Sequence, residues 1–169
     1  MAGIKESIEN AVRYLSEHPD KARYTDSFAR ATLGESLRVE VEGPDGLRLV
    51  TDMPSAIGGR EEEPSPGWLY RAAIASCVAS TVGMEAVREG VALRSLEVEV
   101  DSESDDRGIL GMDEAVPAGP LSTRVRVRAS ADGVDEGQLR EILERGADRC
   151  PSYDATRRAV DVALETETT

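Results

Sequence analysis

The stretch PSPGWLYRAAIASCVASTVGMEAV, residues 64–87, carries only Arg71 and Glu85 as charged side chains. Nothing else in the chain constrains its fold as strongly. Ser65-Pro66 suits a helix start, with serine as cap and proline in the first turn. Gly90 supplies a left-handed stop, so the spacing predicts a helix from about Gly67 to Glu89. Its residues are apolar nearly all round, which predicts a buried central helix rather than a surface one. Arg71, Glu85 and Arg88 interrupt the run, which falls short of the roughly 20 apolar residues a membrane span needs.

The other segments supply what packs on that helix. Ile4, Ile8, Val12 and Leu15 fall at helical spacing, predicting an N-terminal amphipathic helix within residues 1–19, with His18 at its end. Leu37, Val39 and Val41 alternate with charged residues before Asp45-Gly46 and LRLVT, the pattern of a hairpin. Residues 51–67 read as a Pro- and Gly-rich loop containing the acidic run Glu61–Glu63, a solvated edge. Leu96, Val98 and Val100 predict a strand, and a long polar connection follows. Val125 and Val127 alternate with Arg124, Arg126 and Arg128, a second strand with an ion-paired or solvated face. Asp135 and Gln138 resemble a capping box opening a helix that ends at Cys150-Pro151. Ser152 is placed to cap a short last helix, and Val160, Val162 and Leu164 alternate as a closing strand. The order is helix, hairpin, long helix, two strands, two helices and a strand. It reads as one α+β domain, residues 1–169, built on antiparallel sheet with the long helix against it.

Charge narrows the function classes. The 33 acidic and 20 basic residues give a formal net charge of -13. Such a surface repels phosphate backbones and anionic bilayers, so neither nucleic acid nor a membrane is an expected partner. The first residues show no apolar signal core, which makes a cytoplasmic location the expectation. Two cysteines and one histidine cannot make the usual four-ligand structural zinc site, and no metal or other cofactor is expected.

At about 100° per residue, Ala73, Ile74, Ser80 and Thr81 share the helix face of Cys77. Small residues and two hydroxyls leave room beside the sulfur for a polar group. Cys150 lies at a helix junction, where the free amides of the next helix favour a thiolate. Each cysteine alone reads first as an inert buried thiol. Together they are the only two in the chain, one in the central helix and one at a Cys-Pro junction.

Three runs, TDMPSAIGGREEEPSPGWLYRAAIASC, VREGVALRSLEVEVDSESDDRGILG and ADRCPSYDATRRAVDVALE, resemble the OsmC/Ohr family of thiol-dependent hydroperoxide reductases. The shared elements are Pro-x-x-x-Gly-Gly, a Pro-containing helix start, a helical cysteine among alanines, Gly90 before a strand, an Asp-x-x-Gly loop from Asp105 to Gly108, and Cys-Pro before the last helix. The likeness spans residues 36–169. It implies an OsmC-like fold, with curved antiparallel sheets around long central helices in an intertwined homodimer. It also implies a two-cysteine peroxidase. Cys77 would reduce an organic hydroperoxide to its alcohol and become a sulfenic acid, Cys150 would condense with it to a disulfide, and a dithiol or lipoyl-bearing protein would restore both thiols.

One position departs from the family pattern. The hydroperoxide reductase branch keeps a glutamate ten residues before the helical cysteine, where it orients an arginine toward the thiolate. That position is Gly67 here. Arg38 and Glu63 are the nearest candidates for the thiolate-activating pair, and Arg71 is expected to make a structural or subunit-boundary ion pair. A non-catalytic OsmC-like module with an apolar pocket is the alternative reading. A third, a static disulfide, suits a reducing compartment least.

Overall fold

Asp45 and Gly46 both take positive φ, 57° and 78°, and Leu47 N–H donates to the Pro44 carbonyl at 3.1 Å. This is a type I′ turn, whose twist matches that of an antiparallel hairpin. The computed structural model in which it occurs describes residues 2–168. Its elements run α1 (Ala2–Glu17), β1 (Arg30–Leu33), β2 (Val39–Glu42), β3 (Arg48–Thr51) and α2 (Pro66–Arg88). Then come β4 (Leu93–Glu103), α3 (Asp106–Ile109), β5 (Ser122–Ala131), α4 (Glu136–Asp148) and α5 (Pro151–Arg157). The fold is α+β, and the chain divides into two units, residues 2–72 and 73 onward.

In the first unit the turn joins β2 to β3, and β1 adds on the other side of β2, giving an antiparallel sheet in the order β1-β2-β3. The alternation of residues 37–41 announced the hairpin but not β1. Its four residues are all exposed, so burial wrote no periodic pattern into them. The β1–β2 connection repeats the two left-handed positions with residues other than glycine: Ser36 and Leu37 take φ of 52° and 63°. α1 carries the expected Ile4, Val12 and Leu15 stripe, which is exposed. His18 follows it, with its ring stacked on Tyr14.

In the second unit, β4 and β5 pair antiparallel, with Val98 opposite Val127 and Val100 opposite Val125. The valines face a core built on Ile74, Val78 and Val82 of α2 together with Cys150, and Leu143, Ala147 and Tyr153 pack on the same cluster. Burying each of the α2 side chains is worth about 1.5–3 kcal/mol. The opposite sheet face carries the arginine row, and it is ion-paired. Arg128 meets Glu97 at 2.7 Å, Arg126 meets Glu99 at 2.7 Å, and Arg124 meets Asp101 at 3.2 Å. These exposed pairs fix register more than they add stability. A second cluster of Ala86, Val91 and Ile142 closes the C-terminal end of α2.

The termini of α2 match the sequence signals. Ser65 Oγ accepts from Trp68 N–H at 3.2 Å, and Gly90 at φ 72° lets Val91 N–H reach back to the Ala86 carbonyl at 2.8 Å. Its surroundings do not match. The expected all-round burial is replaced by one buried stripe, and Trp68, Tyr70 and Met84 stand exposed. The expected closing strand is also absent, since no strand is assigned among residues 159–168. Val162 and Leu164 are each 88% exposed. Alternation gives a segment strand potential, but does not by itself bring it against a partner strand. Among the described residues, no helix is long and apolar enough to cross a membrane.

Candidate functional site

The second unit brings the two cysteines together. Cys77 lies one turn along α2 from Ile74 and is half-buried, with its side chain against the cluster that contains Cys150. Cys150 is 0% exposed. Its position follows from local chemistry: Pro151 cannot continue α4, and the chain turns directly into α5. The cap of α5 is Cys150 itself rather than Ser152, its sulfur accepting the Tyr153 N–H at 3.4 Å. Ser152 falls inside the helix because the proline takes its first position.

Helix packing sets how closely the sulfurs approach. Gly146 of α4 lies directly over α2, where a Cβ would come within 2.5 Å of the Val82 Cα. Only a residue without a side chain allows that contact. Beside it, Glu85 is a buried carboxylate of α2 that accepts from Arg145 Nε of α4 at 3.0 Å and from Arg149 Nη1. Four residues after Gly146 the chain reaches Cys150.

Both cysteines are free thiols, and their environments drive them apart. Burial pushes the Cys77 thiol up, but hydrogen bonds from the Cys150 thiol and from the Ser152 amide and hydroxyl outweigh it and hold Cys77 below an ordinary cysteine. Burial, then the adjacent Cys77 sulfur, push the Cys150 thiol up against the smaller opposing effect of the Tyr153 and Ser152 amides. The helix junction taken alone reads as favouring a thiolate at Cys150, whereas the family resemblance implies Cys77 as the nucleophile. The Ser152 amide favours the charged form of both sulfurs, and burial decides the state of Cys150. One sulfur is therefore disposed to be a nucleophile and its neighbour a protonated donor.

The hydroxyls expected to bind a polar group beside Cys77 are otherwise engaged. Thr81 Oγ1 donates to the Cys77 carbonyl at 3.1 Å, and Ser80 Oγ donates to the Ser76 carbonyl at 3.0 Å. Ser152, read from the sequence as a helix cap, instead acts on the charge of both sulfurs, a part that sequence reasoning missed. Its signal was position, two residues after a cysteine that precedes a proline.

Arg38 and Glu63 meet in the first unit, Arg38 Nη2 donating to Glu63 Oε1 at 3.1 Å. Asp52, 1% exposed, organises the loop that carries Glu63. Its carboxylate accepts the amides of Met53 at 2.8 Å, Arg60 at 3.2 Å and Glu62 at 3.3 Å. Burial raises the Asp52 carboxyl, but those amides and the Arg38 charge prevail and lower it. The Gly58-Gly59 pair turns the same loop: Gly58 sits at φ 95°, and a Cβ on Gly59 would fall 1.8 Å from the Met53 carbonyl oxygen. Of the acidic run, Glu61 accepts from Ser55 Oγ at 2.5 Å, while Glu62 and Glu63 both face Arg38. A cleft of about 420 Å³ lies here, lined by Asp52, Glu61, Glu63, Trp68 and Arg71 among others. Gly67 borders Arg71, whose Nη1 would lie 3.8 Å from a Cβ placed there.

Comparison with known proteins follows the same lines. The family model for OsmC-like protein matches residues 59–165. An organic hydroperoxide resistance protein of Xanthomonas axonopodis pv. citri (strain 306) is 28% identical over 147 residues, covering 86% of this chain and 96% of that protein. Among solved structures, the OsmC-like protein of Mycoplasma pneumoniae aligns with a TM-score of 0.68 at 14% identity, over 81% of this chain and 91% of that one. An organic hydroperoxide resistance protein of Legionella pneumophila aligns with a TM-score of 0.60 at 23% identity, over 82% and 94%. These structural likenesses establish the shared fold.

Proposed function

The chain belongs to the OsmC-like protein family, and from that premise we propose that it is a cysteine-based peroxidase that reduces organic hydroperoxides to alcohols. The observation that carries this reading is the contact of Cys77 with Cys150, one thiol held low and the other pushed up. The Cys77 thiolate attacks the terminal peroxide oxygen, the O–O bond breaks, and the alkoxide leaves and takes up a proton as alcohol. Cys77 is left as a sulfenic acid. The Cys150 thiol then attacks the Cys77 sulfur, the S–O bond breaks, and the departing hydroxyl takes the Cys150 proton and leaves as water. A dithiol reductant, itself oxidised to a disulfide, returns both thiols.

Four further assignments belong to this proposal. Cys77 packs against an apolar cluster that contains Ile74, Val78 and Val82, surroundings that favour alkyl peroxides over hydrogen peroxide. Complete burial of Cys150 favours a slender reductant such as a lipoyl arm, and a dithiol cycle of this kind suits the cytoplasm. The exposed Trp68, Tyr70, Met84, Val162 and Leu164 are apolar surface that a homodimer would cover. Arg38 with Glu63 is the proposed thiolate-activating pair.

The test is consumption of cumene or tert-butyl hydroperoxide with dihydrolipoyl protein as reductant. Cys77→Ser should abolish turnover, and Cys150→Ser should stop after one equivalent with a sulfenic acid that dimedone traps. A wild-type protein that consumes neither peroxide would overturn the proposal. It would favour a non-catalytic module, the reading to which Gly67 in place of a carboxylate points.

A further inference from the structure

Glu85 is a carboxylate of α2 that is only 3% exposed. Its partners come from α4: Arg145 Nε donates to one oxygen at 3.0 Å and Arg149 Nη1 to the other. Arg145 also reaches Glu89 at 3.0 Å and Glu141 at 3.4 Å, whereas Arg149 commits its guanidinium to Glu85. Replacing a buried ion pair by apolar residues often leaves stability unchanged or higher, and what the pair adds is register. Arg149 is the residue before Cys150. The hydrogen bonds that shape this junction are local: Arg149 N–H to the Arg145 carbonyl at 3.2 Å, Cys150 N–H to the Ala147 carbonyl at 3.0 Å and Asp154 N–H to the Cys150 carbonyl at 2.9 Å. They fix its shape but not its distance from α2. Apolar contact with Ile74, Val78 and Val82 holds Cys150 against α2, yet such contact has no direction. The Arg149–Glu85 bond is a directional link from the junction to the helix that carries Cys77.

We propose that Arg149 is a positioning residue for Cys150, anchored on Glu85, and that it keeps the Cys150 sulfur within disulfide reach of Cys77. The inference rests on the peroxidase reading for its purpose, because a resolving thiol is what needs that placement. The physical basis is independent of that reading. A disulfide forms only where the two Cβ atoms lie about 3.5–4.5 Å apart, and a charge-assisted hydrogen bond fixes distance and direction together. Gly146 lets the two helices approach, and Arg149 sets where the chain leaves α4. Arg145 serves the same carboxylate but stands a full turn before the junction, so its loss falls on helix packing rather than on Cys150.

The experiment compares Arg149→Ala, Arg149→Lys and Arg145→Ala with wild type, full-length, in buffers of reduced and oxidised dithiothreitol. The oxidised form takes the electrons and protons of the Cys77 and Cys150 thiols as they join, and the disulfide fraction is read by mass after alkylation. The Tm of each variant is measured alongside. Arg149→Ala should form the disulfide about tenfold less readily, a reduction potential about 30 mV less negative. Arg149→Lys keeps a cation for Glu85 and should restore the potential. Arg145→Ala should lower Tm at least as much as Arg149→Ala and keep the wild-type potential. A wild-type potential in Arg149→Ala would overturn the proposal, as would a lysine variant that behaves like the alanine one. So would an equal shift in Arg145→Ala, which would mean that the disulfide follows stability rather than the placement of Cys150. Hydroperoxide consumption measured on the same samples separates the two ideas. A shifted potential in a protein that never consumes peroxide leaves Arg149 in its role and removes the peroxidase. An unshifted one in a protein that does consume it removes Arg149 alone.

Discussion

Gly146→Ala should destabilise the protein, although alanine is the best helix former and glycine nearly the worst. Propensity alone favours the substitution by about 1 kcal/mol in mid-helix. Packing opposes it. The new methyl would sit 2.5 Å from Val82 Cα, 2.9 Å from its Cγ2 and 3.0 Å from its nitrogen, against a carbon–carbon optimum of about 3.5–4.0 Å. Two of those atoms are backbone, so no rotamer change relieves the clash, and α4 must move off α2 by about 1 Å. Overpacking of this kind costs about 1–3 kcal/mol, and the separation also strains the buried Glu85 contacts with Arg145 and Arg149. Subtracting propensity leaves about 0–2 kcal/mol, and the strained ion pairs bring the net loss to about 1–2 kcal/mol. For a chain of this size that lowers Tm by about 3–6 °C, read by differential scanning calorimetry at one fixed protein concentration. Because Cys150 follows Gly146 by one helical turn, the same displacement should draw its thiol away from Cys77 and move the Cys77 alkylation profile to higher pH. A raised Tm with an unchanged profile would refute the close approach of the two helices.

Leu37→Gly should raise stability by about 1 kcal/mol, since Leu37 holds a left-handed backbone at φ 63° that costs a non-glycine residue about 1–2 kcal/mol. Urea denaturation would show it, and a loss would mean that the turn differs. Glu85→Gln should lower stability by about 2 kcal/mol, below the usual 3–5 for a broken buried pair, because Arg145 and Arg149 are partly exposed and can hydrate. An unchanged denaturation midpoint would remove the network from the account of α2–α4 packing. Cys150→Ala removes the leading donor to Cys77, so its Cys77 alkylation profile should move up in pH. In wild type, Cys77 is depressed, so its reactivity should persist below the ordinary thiol range near pH 8.5 and fall only as pH drops through its folded pKa. Cys150 is raised, so its contribution to stability should be intact below the ordinary thiol pKa and lost as pH rises toward its folded value.

Where a residue answers to its own neighbours in the chain, the sequence could be read. The Ser65 cap, the Gly90 stop, the Asp45-Gly46 turn and the Asp135 cap depend on contacts within a few residues, and each falls where its signal stood. β1 was hidden because an exposed four-residue strand needs no alternation. The closing strand was over-read because alternation at Val160, Val162 and Leu164 describes a segment without supplying an edge to pair with. The site was legible in its parts: both cysteines could be singled out, but their contact depends on a glycine in α4 that carries no chemical signature. Ser152 and Asp52 escaped for a related reason. Their roles act across turns, Ser152 on the charge of both sulfurs and Asp52 on amides eight and ten residues away.

The most direct test treats the reduced protein with one equivalent of cumene hydroperoxide, alkylates the remaining thiols and maps the peptides. The expected result is one equivalent of cumyl alcohol, with the Cys77 and Cys150 peptides joined by a disulfide and neither alkylated. Intact peroxide with both cysteines alkylated, or a Cys77 oxidised beyond sulfenic acid beside an alkylated Cys150, would contradict the assignment of Cys77 as nucleophile and Cys150 as its resolving partner.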